Sequence, residues 1–407
     1  MKIFKFIISK IFLRKPIVGI CMILLLCMAD YATFSAARSI LSTWQGYQET
    51  KYIDQEGVYV ANLAPESHLG FMGETDSAQR TQAVYDYLNS NFNYALYTDG
   101  FVVSVPNRDD MEITLSYMNE EYYKLNQFDL LQGEDLDFDY QLDREIPVLI
   151  GKGLNNTYPV GSRIVIDNST LGCPITLKVR GVLQPNAYHT NFYALNSKTY
   201  CNFSIIFPVN EEFMDNAGMD LKWNGLMDLI LIETTKEKVS NLGDVIEENL
   251  GLKFNFYSQK ENYDYFNEYY LYALKTIAAI TLTLLIIITC VTVWTGLVSV
   301  RLMLKDFTIN LLVGLSYSKL RKMLYGYFGI ISFVCLAIIF IFDASNSYSS
   351  WLRKDPSSVT YGLFGLIGID WLAFLAIVFL DIVIGAVIVE IMLRKIKKIP
   401  ISLGVLQ

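Results

Sequence analysis

The sequence predicts an α-helical membrane protein with four transmembrane helices and a large extracytoplasmic α+β domain between helices 1 and 2. Three observations carry this expectation. First, 52% of the 407 residues are hydrophobic and only 18% charged, with a mean hydropathy of +0.30, whereas a soluble domain carries about a quarter of its residues as charges. Second, the apolar residues gather in long runs. Residues 276–300 and 323–342 hold no charge, and the runs starting at Ile17 and Trp371 are each interrupted by a single acid, Asp30 and Asp381. About 20 apolar residues at 1.5 Å rise cross a hydrocarbon core of ~30 Å. Third, the charges segregate. From Arg38 to Lys275 there are 17 Lys+Arg against 34 Asp+Glu, while segments 1–16, 301–322 and 394–407 together hold 14 Lys+Arg and one acid, Asp306. Positive charge marks the cytoplasmic side of short loops. Both termini and the 301–322 loop are therefore expected inside, and the acidic stretch outside. A soluble enzyme, a nucleic-acid binder and a disordered chain are excluded.

Residues 1–15 place Ile3, Phe4, Ile7, Ile8 and Ile11 at helical spacing with Lys2, Lys5, Ser9 and Lys10 opposite. This is the pattern of an amphipathic cytoplasmic helix on the inner leaflet, set off from the next element by Pro16. Transmembrane helix 1 is expected over 16–42. Its basic flank and apolar core imitate a secretory signal, but the core runs past Asp30 to about Ile40, longer than a signal's apolar region. It reads as a retained anchor.

The extracytoplasmic domain, 43–268, is long enough for a core of its own. Helical spacing occurs at 76–91 and 236–250, and strand-like stretches at 57–62, 100–105, 146–151, 162–167, 175–183, 204–209 and 227–233. Helices and strands in such irregular order indicate an α+β domain. Tyr257, Tyr263, Tyr265, Tyr269, Tyr270 and Tyr272 crowd the approach to transmembrane helix 2. An interfacial aromatic belt and a substrate-stacking surface both fit them.

No bond-breaking constellation is present. GxxxxGK[ST], HExxH and GxSxG do not occur, and Gly151-Lys152-Gly153 lacks the upstream glycine and the magnesium-binding hydroxyl of a phosphate loop. The two histidines, His68 and His189, cannot build a histidine-rich metal site. The acidic run at Asp135, Asp137 and Asp139 lacks the glycine turn and distal Glu of a calcium loop. Cys21, Cys27, Cys290 and Cys335 lie in apolar spans, and Cys173 and Cys201 form the only outer pair. A disulfide and two free thiols are both compatible with that pair. No enzyme, metal or cofactor is expected in this chain.

Transmembrane helix 2 is expected over 269–300. If helical from about Tyr263, it would be a lever of about 57 Å at 1.5 Å per residue. The cytoplasmic loop 301–322, RLMLKDFTINLLVGLSYSKLRK, sets Leu302, Phe307, Ile309, Leu311, Leu312, Leu315 and Leu320 among bases. An apolar and basic helix kept out of the bilayer suits docking into a groove on a partner; a helix on the lipid surface is the other reading. Gly314 is placed to end one helix and Ser316 or Ser318 to begin the next. Transmembrane helix 3 follows over 323–343, an extracytoplasmic loop over 344–369, transmembrane helix 4 over 370–393 and a cytoplasmic tail over 394–407. Asp30 and Asp381 are intramembrane acids, which face a neighbouring helix or water, or carry a proton. A hydrogen bond to the threonines of helix 2 and a proton or substrate relay are the two readings.

With this layout the sequence resembles the MacB and FtsX group of ABC transporter permeases, also called type VII, and the MacB branch more closely. Arg301, Asp306-Phe307, Leu311-Leu312, Gly314, Leu315, Ser316, Lys319, Arg321 and Lys322 stand where that family has its ATPase-coupling loop. Gly133, Pro147-Val148-Leu149-Ile150-Gly151, Val160-Gly161 and Val179-Arg180-Gly181-Val182-Leu183 resemble its outer domain, and Pro400-Ile401-Ser402-Leu403 its closing segment. Thr308 and Asn310-Leu311 depart from the pattern, as a specialised or heterodimeric partner would require. The resemblance implies a permease subunit in a bacterial cell membrane, passing the ATP hydrolysis of a separate cytoplasmic ABC ATPase dimer to its outer domain by mechanotransmission. It implies ATP and magnesium on that partner, a second permease copy or homologue, membrane lipid and an extracytoplasmic adaptor as associates, and no nucleic acid. Export or release of a peptide, lipid or hydrophobic compound follows. A membrane-anchored sensor that binds an outer peptide or lipid without transport is the alternative.

Overall fold

The structure, a computed structural model, describes residues 16–67, 76–302, 314 and 316–398. The amphipathic stretch 1–15, His68 and Pro400-Ile401-Ser402-Leu403 lie outside the described residues. The chain divides into two compact units: Met1–Leu41, Tyr272–Asn346 and Leu366–Gln407 form one, and Ser42–Leu271 with Ser347–Gly365 the other.

Four helices, α1 (Pro16–Glu49), α2 (Tyr272–Leu302), α3 (Tyr317–Leu352) and α4 (Gly368–Lys397), are each long and apolar enough to cross a membrane. In the first unit their contacts follow helical periodicity. Leu26 belongs to one buried cluster with Leu324, Phe328 and Ile331 of α3 and Ile384, Ile388 and Met392 of α4. A second cluster joins Phe34, Ile339, Ala373, Phe374 and Ile377. Polar signals fix the helix ends. Ser316 Oγ accepts from the Lys319 N–H at 3.3 Å, an N-cap for α3. The Asp370 carboxylate accepts from the Ile367 N–H at 2.9 Å at the start of α4, and Arg394, Lys395 and Lys397 offset the dipole at its end.

Two helices outrun their apolar stretches. α1 continues to Glu49 because residues 42–49 are built into the second unit, where Glu49 accepts from the hydroxyls of Tyr188 and Thr190 and Lys198 Nζ donates to Gln45 Oε1 at 2.7 Å. α3 continues to Leu352 for the same reason, with the Trp351 ring edge-on to Phe203 at 5.8 Å. The lever expected from Tyr263 is helical but not uniform. An α-helix over Gln259–Tyr265 passes through a π-helical turn, Phe266–Leu271, before α2. Such turns frequently mark functional positions.

The second unit is α+β. Its strands are β1 (Tyr59–Leu63), β2 (Asn93–Ala95), β3 (Tyr97–Val103), β4 (Ile113–Asn119), β5 (Leu130–Gly133), β6 (Ile146–Ile150), β7 (Arg163–Ile166), β8 (Ile175–Leu183), β9 (Tyr188–Thr190), β10 (Lys198–Tyr200), β11 (Ser204–Val209), β12 (Ile230–Ile232) and β13 (Phe254–Ser258). The larger sheet has the order β3-β4-β11-β6-β8-β5, with β7 paired to β8, and the smaller one the order β13-β1-β12-β2. β11 lies parallel to β4 and antiparallel to β6 at the centre, and all six of its residues are buried. A strand covered on both faces reads as a continuous apolar run. At the edge, β7 alternates exposed and buried. Helices over Ser77–Asn91 and Lys236–Leu250 bury Val84, Tyr85 and Leu88 and Leu242, Ile246 and Leu250 in one core with the strands.

Of the 344–369 segment, expected as a loop, Ser347–Gly365 belongs to this unit, and its first residues continue α3 to Leu352. Asn202 donates to the Val359 carbonyl at 2.9 Å, Asn186 and Tyr361 exchange two hydrogen bonds of 2.6 Å, and the Tyr200 N–H donates to the Ser357 carbonyl at 2.8 Å.

Candidate functional site

The residues singled out in the sequence fall in two places. Of the coupling loop, Gly314 and Ser316 are described, and the helical backbone of Arg301; Asp306, Phe307, Leu311, Leu312 and Leu315 lie outside the described residues, as do the side chains of Arg301, Tyr269 and Tyr270. Gly314 is exposed at φ +104°, a conformation that side-chain-bearing residues avoid. Two residues on, Ser316 caps α3. Leu320 and Leu324 are buried against Leu393 and Ile396 of α4, so the loop's outgoing end is rooted in packed helices. Arg321 and Glu390 form an ion pair at 3.0 Å, and the Tyr325 hydroxyl donates to the same carboxylate at 3.4 Å. Glu390 of α4 is thus tied to the loop side of α3.

The second place is inside the helical unit. Asp30 is fully buried, neither of its oxygens has a hydrogen-bond partner, and the group it faces is the carboxyl of Asp381. Ser332 of α3 stands beside Asp381. Two of the helix 2 threonines are occupied elsewhere: the hydroxyls of Thr283 and Thr289 donate to their own helix, to the carbonyls of Ala279 and Leu285 at 2.8 and 2.6 Å, while the side chains of Thr292 and Thr295 lie outside the described residues. A hydroxyl bonded one turn back is satisfied without another helix.

A third group in this unit was missed. Arg38 Nε meets Asp370 Oδ1 at 2.6 Å, with the Asp370 side chain 3% exposed, and Asp343 lies close by with one oxygen unpartnered. The available signal was Asp370, three residues after Ile367 at the start of an apolar helix, a capping position.

In the α+β unit, Tyr257 and Tyr265 stack at 6.3 Å and line a cavity of about 50 Å³ with Tyr47, Phe192, Tyr193 and Asp54. It is large enough for a small group. His189 is half-buried, its Nδ1 is 2.8 Å from the Tyr122 hydroxyl, and desolvation pushes the imidazole down to about 3, so it is neutral at pH 7. Cys173 and Cys201 are unbridged; burial pushes the Cys201 thiol up to about 12. Burial of Lys198 lowers its ammonium to about 8, against the pull of Glu49. No group of three His, Cys, Asp or Glu side chains suited to a metal ion occurs among the described residues.

Asp228 gives this unit a pH signature. Burial, reinforced by Asp99, raises its carboxyl to about 6. The folded chain therefore holds this proton more tightly than the unfolded chain. The stabilisation is complete below about pH 4 and is lost as pH rises through 6. Asp228→Asn is expected to remove a change on the order of 2 kcal/mol between pH 4 and 7, read from thermal unfolding of the full chain in detergent. An unchanged pH slope would contradict the assignment.

No family model matches the sequence, and no curated protein matches it. Among solved structures, the chain is similar to the extracellular domain of the ABC-type transporter YknZ from Gram-positive bacteria, at 14% identity and TM-score 0.29, over 49% of this chain and 98% of that one. It is similar to a domain assigned to a permease protein from Porphyromonas gingivalis, at 11% identity and TM-score 0.28, over 50% and 90%. It is also similar to the periplasmic region of MacB from Actinobacillus actinomycetemcomitans, at 12% identity and TM-score 0.30, over 54% of this chain and 98% of that one.

Proposed function

We propose that this chain is a MacB/FtsX-like permease subunit of an ABC transporter. It would convert ATP hydrolysis by a separate cytoplasmic ATPase dimer into movement of its α+β unit, in a bacterial cell membrane with both termini inside. Two permease copies, or this one and a homologue, share one ATPase dimer. The cargo is a peptide, lipid or hydrophobic compound taken from the outer side. One observation carries the reading: the end of the 301–322 loop is built as a lever root. A glycine at positive φ is followed by a capped helix whose first turns are locked to α4 by Leu320, Leu324 and the Arg321–Glu390 pair. A push on the loop would be delivered to the base of two packed helices. α1 and α3 would carry it onward, because each is a single helix ending among residues of the α+β unit. The chain's own sequence holds no nucleotide-binding loop, so the fuel is burned elsewhere.

The test replaces the loop's apolar contacts. Leu312→Asp with Leu315→Asp is expected to reduce ATPase co-purification and permease-stimulated hydrolysis at least about tenfold, since each buried leucine contributes a kcal/mol or more at such an interface. Retained association would refute the coupling assignment. A sensor without transport would bind its ligand equally well with the loop altered.

A further inference from the structure

Asp30 and Asp381 lie on the packed stripes of their helices. On α1, Leu26, Asp30 and Phe34 recur every fourth residue and are all buried. On α4, Ile377, Asp381, Ile384 and Ile388 recur at the same helical spacing, and all three isoleucines are buried. Residues three and four apart share one face of a helix, so the packing that seats these apolar neighbours brings the two carboxyls together. Both oxygens of Asp30 and Oδ1 of Asp381 are buried without a hydrogen-bond partner. Among the described residues, the other groups around the pair are Ser332, beside Asp381, and the thiols of Cys27 on α1 and Cys335 on α3; Cys335 Sγ donates to the Ile23 carbonyl at 3.5 Å. Among the described residues no lysine, arginine or histidine faces either carboxyl.

Two carboxylates in such a place cannot both be ionised. Each would lose its hydration and each would repel the other, with no cation to offset either charge. Carboxylate oxygens only accept hydrogen bonds, so two ionised groups also leave every facing lone pair unmet. One proton eases this: a neutral carboxyl donates to its neighbour, which removes one of the two charges and gives one oxygen of each carboxyl a partner.

We propose that Asp30 and Asp381 form a proton-binding site between α1 and α4, in which one carboxyl holds a proton at neutral pH and donates it to the other. The occupied site joins the two helices by an O–H···O bond. The empty site sets two like charges on facing helices, so proton occupancy biases the α1–α4 contact. This inference is independent of the transporter reading.

Infrared spectroscopy of the full chain in lipid nanodiscs at pH 7 tests it. The wild type is expected to show the C=O stretch of a hydrogen-bonded carboxylic acid that Asp30→Asn/Asp381→Asn lacks. Each single asparagine variant is expected to shift that band, because the remaining acid loses its carboxylate acceptor. Asp381→Glu keeps an acid at the site and should retain a displaced band, which preserves the test if the double variant fails to fold. A carboxylic-acid region unchanged in every variant would overturn the proposal. So would a site that is fully ionised in the wild type and responds to sodium in place of protons.

Discussion

Arg38→Ala is expected to destabilise the helical unit by about 1–2 kcal/mol, because it removes the charged partner of a buried carboxylate while the arginine itself, 51% exposed, is partly screened by solvent. The Asp370 side chain is 3% exposed and its Oδ1 lies 2.6 Å from Arg38 Nε, so the substitution strands a charge. Asp343, close by with one oxygen already unpartnered, adds a second acid to the stranded site. Asp370→Asn should cost far less, because an amide keeps the acceptor for the Ile367 N–H and carries no charge. Combining Arg38→Ala with Asp370→Asn should recover most of the loss, since the two positions act as one unit. Thermal unfolding of the four proteins in the same lipid closes this cycle. Additive losses would mean that the pair is incidental.

Gly151→Ala is expected to cost at least about 3 kcal/mol, the upper range for forcing extra atoms into a packed core. A Cβ at Gly151 would sit 1.9 Å from the Cys201 carbonyl oxygen and 2.4 Å from that of Asn202, both backbone atoms that cannot turn aside. Gly161 is the contrast. It lies at φ +88° with nothing within 4 Å of a Cβ, so alanine there meets only backbone strain, about 1–2 kcal/mol. A ratio near one between the two effects, read from chemical or thermal unfolding, would contradict the packing described for β6.

Both glycines belong to the stretch that resembles a known outer domain, and sequence alone does not tell them apart. What was legible followed from periodicity and burial. β11 and β8 read directly as strands at 204–209 and 175–183, and the helix over Lys236–Leu250 declared itself by its apolar spacing. β4 was missed although it is central: Thr114 and Ser116 are buried in it, so neither an apolar run nor an alternation is visible. The strand-like stretch 227–233 shrank to Ile230–Ile232 because Leu226 and Met227 complete the helix Met219–Met227. Short strands such as β9 and β10 depend on each other and on neighbouring segments, and they carry no local pattern. In the membrane unit, Asp30 and Asp381 were conspicuous as acids in apolar runs, but nothing local assigns them to one another. The same holds for Arg38 and Asp370 and for Arg321 and Glu390, which only tertiary packing brings together.

In the proposed function this chain receives force generated by ATP turnover in another protein. Cys173 is exposed in the α+β unit and offers a position for a spin label once the exposed membrane thiols Cys21 and Cys290 are replaced. The proposed complex of two copies of this chain with the ATPase, labelled there in both copies, is compared without nucleotide and with ATP trapped on the ATPase. The distance between the two labels is expected to change with the nucleotide state, and Leu312→Asp/Leu315→Asp is expected to abolish the change. Identical distances in both states, with ATP demonstrably bound, would contradict it.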